Sequence, residues 1–120
     1  MRSARFVVIC LAVKDSEVER AERLRAEYRE QVEGALDGLD LVLTPTLPIV
    51  PPPLNRGSVG DLDVREQLIR LTFPFSALGW PALALPCGPA EDGLPASLQI
   101  AGRAGADALV LAAARLVEPN

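Results

Sequence analysis

The chain has 120 residues, 49% of them apolar but only 4% aromatic, and a formal charge of −4 at neutral pH. That length suits one small domain with a core of Leu, Val and Ala. The acidic balance argues against nucleic acid or an anionic membrane surface as partner, since both need a basic patch. With no histidine, every His-dependent triad is excluded, and no metal site is expected.

The chain opens with Arg2 and Arg5 ahead of an apolar run, Phe6–Val13. A basic start before a short apolar run resembles a secretory signal, but no small-residue cleavage site follows. The run is too short to span a bilayer and reads as a buried strand or the start of a helix. Ser16-x-x-Glu19 has capping-box spacing. Beyond it, Val18, Ala21, Leu24, Tyr28, Val32, Ala35 and Leu39 recur at spacings of three and four, one apolar stripe on a helix over about 16–37. Glu19, Arg23 and Glu27, then Arg29 and Glu33, give i,i+4 charge pairs on the solvated face. Gly34 and Gly38 offer the stop.

A strand is expected over 40–44, ending where Pro45 removes a ladder donor. From Pro45 to Gly60 the chain is proline-rich and reads as a stiff surface loop, partly polyproline II. Asp61 or Asp63 caps a helix over about 62–71. Between Thr72 and Gly102, Gly and Pro punctuate two short apolar runs, Ala82–Leu85 and Leu98–Ala101, which read as strands over 82–86 and 96–101. Runs that are apolar on successive residues are expected to hide both faces. Asp107 is expected to cap a final helix over 107–117. That helix is apolar all round except for Arg115, and such a helix should be buried all round.

The chemistry-bearing residues are sparse. Candidate nucleophiles are Ser58, Thr72, Ser76, Ser97 and Cys87, none in a nucleophile elbow and none with a histidine to activate it. Thr72 and Ser76 would share a helix face, where lone hydroxyls commonly satisfy backbone groups. Cys87 reads as a buried, inert thiol. The only lysine is Lys14. Two cysteines make no disulfide framework, so reduced thiols in the cytoplasm are expected. Nothing points to a cofactor.

Several ordered motifs carry a resemblance. Thr72-x-Pro74-x-Ser76-x-x-Gly79-x-Pro81-Ala82-Leu83, Leu85-Pro86-Cys87-Gly88, and Gly93-Leu94-Pro95-x-x-Leu98-Gln99-Ile100-x-Gly102 resemble the C-terminal part of the amidase signature family. Asp40-Leu-Val-Leu-Thr-Pro45-Thr46-Leu-Pro48 is similar to that family's strand-to-loop segment. The resemblance implies an α/β fold, here a C-terminal fragment of a mixed-sheet amidase domain over 15–120, with 1–14 as a poorly matched extension. It implies hydrolysis of an amide C–N bond in a small molecule by a Ser–Ser–Lys triad. The family carries that triad upstream, in a Gly-Ser-Ser-Gly-rich loop, and this chain has no Ser-Ser or Gly-Gly pair. It also implies that Thr72, Ser76, Gly79, Trp80 and Pro81 wall the substrate cleft; for Trp80, packing in the core is the competing reading.

Arg70 stands where amidotransferase-type members commonly carry an acidic residue. The likeness therefore leans to a general amidase rather than to the A subunit of glutamyl-tRNA amidotransferase. Ser76 and Ser97 replace the Asn and Gly of many members.

Two classes of function follow. One is an amide hydrolase portion, inactive alone, whose partner is the missing N-terminal amidase segment. The other is a non-catalytic module that completes a split enzyme or self-associates through apolar faces, or a remnant with no activity. Both rest on strands and a last helix too apolar to be covered by this chain alone.

Overall fold

The computed structural model describes residues 12–54 and 57–118, in two units, Met1–Asp37 and Gly38–Asn120. The strand or helix start expected from Phe6 lies, apart from Ala12 and Val13, outside the described residues, as does Cys10.

In the first unit, α1 runs Asp15–Ala35. Its N-cap is Lys14 rather than Ser16: the Lys14 backbone N–H donates to Glu17 Oε2 at 2.9 Å. The carboxylate three residues on reaches back to the cap, so the capping frame sits two residues earlier than the Ser16–Glu19 spacing implies. Asp15 and Glu17 in the first turn also suit the positive end of the helix dipole. On the surface, Arg25 meets Glu22 at 3.7 Å, an i,i+3 pair outside the expected i,i+4 ladder. The helix buries none of its residues, and Val18 and Leu24 of its apolar stripe stand about half exposed.

The second unit is built on a three-stranded antiparallel sheet. Its strands are β1 (Leu41–Pro45), β4 (Ala82–Pro89) and β5 (Pro95–Gly102), ordered β1-β5-β4. β1 does end on Pro45. Between β1 and β4 lie a small hairpin, β2 (Ser58–Val59) and β3 (Leu62–Asp63), and two short helices, α2 (Val64–Ile69) and α3 (Phe73–Leu78). The expected helix over 62–71 is therefore helical only over Val64–Ile69: its first two residues belong to the hairpin, and Arg70 and Leu71 form a turn. Asp63 caps what remains, accepting from Glu66 N–H at 3.0 Å. A 3₁₀ turn at Glu91–Gly93 joins β4 to β5, and α4 (Asp107–Val117) closes the chain.

The register explains the burial. Leu43, Ile100 and Leu83 form one cross-strand row, and Pro45, Leu98 and Leu85 the next. Alternation puts these side chains on one face of the sheet. There Ile100, Val110 and Ala114 form a buried cluster, with Leu41, Leu83, Leu85, Leu98 and Ala113 packed against it. β5 is the central strand, and Ile100 and Ala101 are almost fully buried. Gln99 and Ala101 point to the opposite face, where Gln99 meets the carbonyl of Leu71.

Gly102 is fixed by close approach. A Cβ there would stand 2.9 Å from Val110 Cγ2 and 3.1 Å from Ala106 Cβ. Its lack of a side chain lets α4 come down onto the end of β5.

Three further expectations fail against the structure, two of them for one reason: too few layers. The 82–85 run is not hidden on both faces, because β4 borders the sheet and Ala82 and Ala84 are exposed. α4 buries only Val110 and Ala114, leaving Leu109, Leu111, Leu116 and Val117 between 44% and 88% exposed. Its buried residues, four apart, face the sheet, with Ala113 partly covered beside them. Asp107 is the first helical residue rather than the cap, which is Ala106. There Asp107 still favours the helix dipole.

Candidate functional site

The five residues assigned to a cleft wall belong to one short helix and its exit. Pro74 sits in the first turn of α3, where a missing N–H does no harm. Thr72 occupies the N-cap without capping through its side chain; its Oγ1 donates to the Ile69 carbonyl at 3.4 Å. Ser76 is exposed, and its Oγ donates to the Thr72 carbonyl at 3.4 Å. This is the i−4 back-bond that serine makes mid-helix. Both hydroxyls spend their protons on backbone oxygens.

Gly79 takes a left-handed conformation, φ 70° and ψ 30°. Its N–H bonds the Ser76 carbonyl at 3.2 Å, and the Trp80 N–H bonds that of Phe75 at 3.0 Å. These two bonds make a Schellman cap, whose left-handed position strongly favours glycine. The cap turns Trp80 inward to 6% exposure. The Arg103 guanidinium lies 6.0 Å from the centre of its ring, at the outer reach of a cation–π contact. The indole Nε1 is buried without a partner. Pro81 is half-buried, and its carbonyl accepts from Gly102 N–H at 3.0 Å. Thr72 to Pro81 is thus tied to the sheet at its end, with Ser76 and Gly79 presented outward and Trp80 packed in.

A second feature is an open apolar groove of about 900 Å³. It runs between the end of β1, the prolines 48 and 51–53, and the start of β5. Cys87 lines it and is exposed, not buried as its neighbours in sequence suggest. The physical reason is its place beyond Pro86, where β4 leaves the regular register and loses cover. Ser97 lines the groove half-buried, and Ser58 is exposed on the β2–β3 hairpin. None of Thr72, Ser76, Gly79, Trp80 and Pro81 lines it. The signal for the groove is the run Pro51-Pro52-Pro53 between apolar residues, which stiffens a loop enough to hold a concave face open.

The arrangement shapes a surface, and the hydroxyls of Thr72 and Ser76 are engaged with backbone carbonyls. Among the described residues, no three of Cys, Asp and Glu gather as metal ligands, and no helix is long and apolar enough to cross a membrane.

A three-stranded antiparallel sheet thus carries the last helix on one face and the capped Thr-to-Pro segment on the other, a mixed α/β arrangement. The family model for Amidase matches residues 8–111, and this chain belongs to that family. The match begins inside the segment 1–14 that the motifs leave out. The chain is 34% identical over 102 residues to a fatty acid amide hydrolase of Arabidopsis thaliana, covering 82% of this chain and 17% of that protein. It is 38% identical over 101 residues to the A subunit of glutamyl-tRNA(Gln) amidotransferase from Moorella thermoacetica, covering 84% and 20%. A solved amidase structure superposes with a TM-score of 0.86 at 37% identity, covering 93% of this chain and 26% of that one. The chain therefore spans about a fifth of the length of the curated relatives it matches.

Proposed function

We propose that this chain is the C-terminal structural portion of an amide C–N hydrolase. In this reading residues 15–120 supply sheet strands and one wall of the substrate cleft, formed by Thr72, Ser76, Gly79, Trp80 and Pro81. The observation that carries it is the uncovered apolar face of α4: Leu109, Leu111 and Leu116 are exposed on a helix whose other face seals the core. Exposed apolar area of this kind belongs against a further layer. The partner is the N-terminal amidase segment with the Ser–Ser–Lys triad, where serine attacks the amide carbon and backbone amides steady the oxyanion.

By itself the chain turns over no amide. Arg70, in place of an acidic residue, favours general amide substrates over the glutamine use of the amidotransferase relatives. The cytoplasm is the proposed setting, since two cysteines form no disulfide framework.

The test is an assay of the purified chain against simple anilides and aliphatic amides, with and without a serine-directed sulfonyl fluoride. No turnover is expected. Hydrolysis that the inactivator abolishes would overturn the reading. The same exposed face favours a split-enzyme arrangement as the second reading. Recovery of the chain as a stable monomer with cooperative unfolding would count against it.

A further inference from the structure

The amide of Gln99 joins three stretches of chain that lie far apart in sequence. It stands on the central strand and is 4% exposed. Its Nε2 donates to Thr44 Oγ1 at 3.1 Å, across 55 residues, and to the Leu71 carbonyl at 2.9 Å, across 28. A backbone carbonyl can only accept, so Leu71 fixes which end of the amide carries the hydrogens. Both hydrogens are then used.

Each partner sits at a joint. Leu71 immediately precedes Thr72, where the proposed cleft wall begins. Thr44 is the Cα partner of Gln99 in the register, lines the groove, and leads into the proline-rich loop. A single planar group therefore sets the spacing between two segments that no ladder hydrogen bond connects directly. A core position needs no amide for volume, and burying one is costly unless it is paired. A fully paired buried network favours a single arrangement of what it touches.

We propose that Gln99 is a positioning residue: its amide clamps the 71–81 segment and the Thr44–Pro45 end of β1 at a fixed separation. That 72–81 is a cleft wall rests on the functional reading above, whereas the clamp rests on geometry alone.

The experiment is residue-resolved amide hydrogen exchange on the whole chain, for the native protein, Gln99→Met and Thr44→Val. Methionine keeps length and volume but donates nothing. In Gln99→Met, the amides of Ser76, Gly79 and Trp80 should exchange roughly tenfold faster or more, the scale set by an unpaired buried carbonyl. Val110, bonded to Ala106 in the last helix, should stay within about twofold, as a site remote from the opening does. Thr44→Val removes one contact only. It should speed the Thr46 amide, which bonds the Ser97 carbonyl, and leave Ser76, Gly79 and Trp80 near native rates.

A uniform rise across all these amides in Gln99→Met would reduce Gln99 to a general stability residue and overturn the proposal. So would unchanged exchange at 76–80. If Gln99→Met does not fold, Thr44→Val decides: equal loosening of both segments, or of neither, sinks the clamp. The anilide assay bears only on the functional reading, so the two can fail separately.

Discussion

Replacing Gly102 by alanine tests the packing of the last helix most directly. The added methyl would sit 2.9 Å from Val110 Cγ2, 3.1 Å from Ala106 Cβ and 3.4 Å from Leu41 Cδ2. The first distance is closer than carbon atoms tolerate, and the second allows little relief. Val110 is 3% exposed and β-branched, so it has little rotamer freedom with which to retreat. Alanine gains about 0.4–1 kcal/mol by restricting the unfolded chain. Overpacking a closed site costs about 1–3 kcal/mol. The cost wins, and the substitution should destabilise by about 1–2 kcal/mol.

The assay is urea unfolding followed by the fluorescence of Trp80, the only tryptophan. The double mutant supplies the check on mechanism. Val110→Ala removes the methyl that clashes, so Gly102→Ala should cost at least about 0.5 kcal/mol less in that background than in the native one. A Gly102→Ala protein as stable as the native chain, or strictly additive effects of the two changes, would refute the reasoning.

Three further outcomes are expected. Asp63→Ala should cost about 1 kcal/mol, because it removes the carboxylate that accepts from Glu66 at the start of α2; denaturant unfolding measures it. Leu116→Ser should change the stability of the isolated chain by no more than about 0.5 kcal/mol, since that side chain is 88% exposed, whereas Ala114→Asp on the sealed face should prevent cooperative folding. Cys87 should be alkylated by iodoacetamide in the folded protein, as peptide mapping would show; a requirement for denaturant would contradict its exposure.

The parts of the fold that are legible in the sequence have strong local causes. Pro45 has no ladder N–H and marks the end of β1, although Pro86 shows that an edge strand can run on through a proline. The charged segment after Lys14 has helical period, and Asp63 has the side chain a helix start needs. The strands at 82 and 96 are marked by their flanking Gly and Pro. What cannot be read is set by neighbours. An apolar run states that it is to be covered, but not by which chain, so α4 and β4 read as buried and are sealed on one side only. The Ser16 cap fails because Glu17 serves Lys14 just as locally. Ser58 to Asp63 forms a hairpin of only two residues a side, too short for a periodic signal. For the site, the helix exit at Gly79 and Trp80 follows from residue type, because a left-handed turn wants glycine. The role of Gln99 depends on partners 28 and 55 residues away, which no local pattern announces.

The prolines of the sheet have a consequence for how the protein behaves in concentrated solution. β1 finishes on Pro45, and β4 carries Pro86 and Pro89 along its length. A strand without N–H groups at those points offers a stranger no continuous template, so recruitment of like chains into a growing fibre is interrupted after a few residues. Ala82 to Leu85 is the stretch of β4 left without such a guard. A charge engineered there would guard that edge as the prolines guard the rest of it.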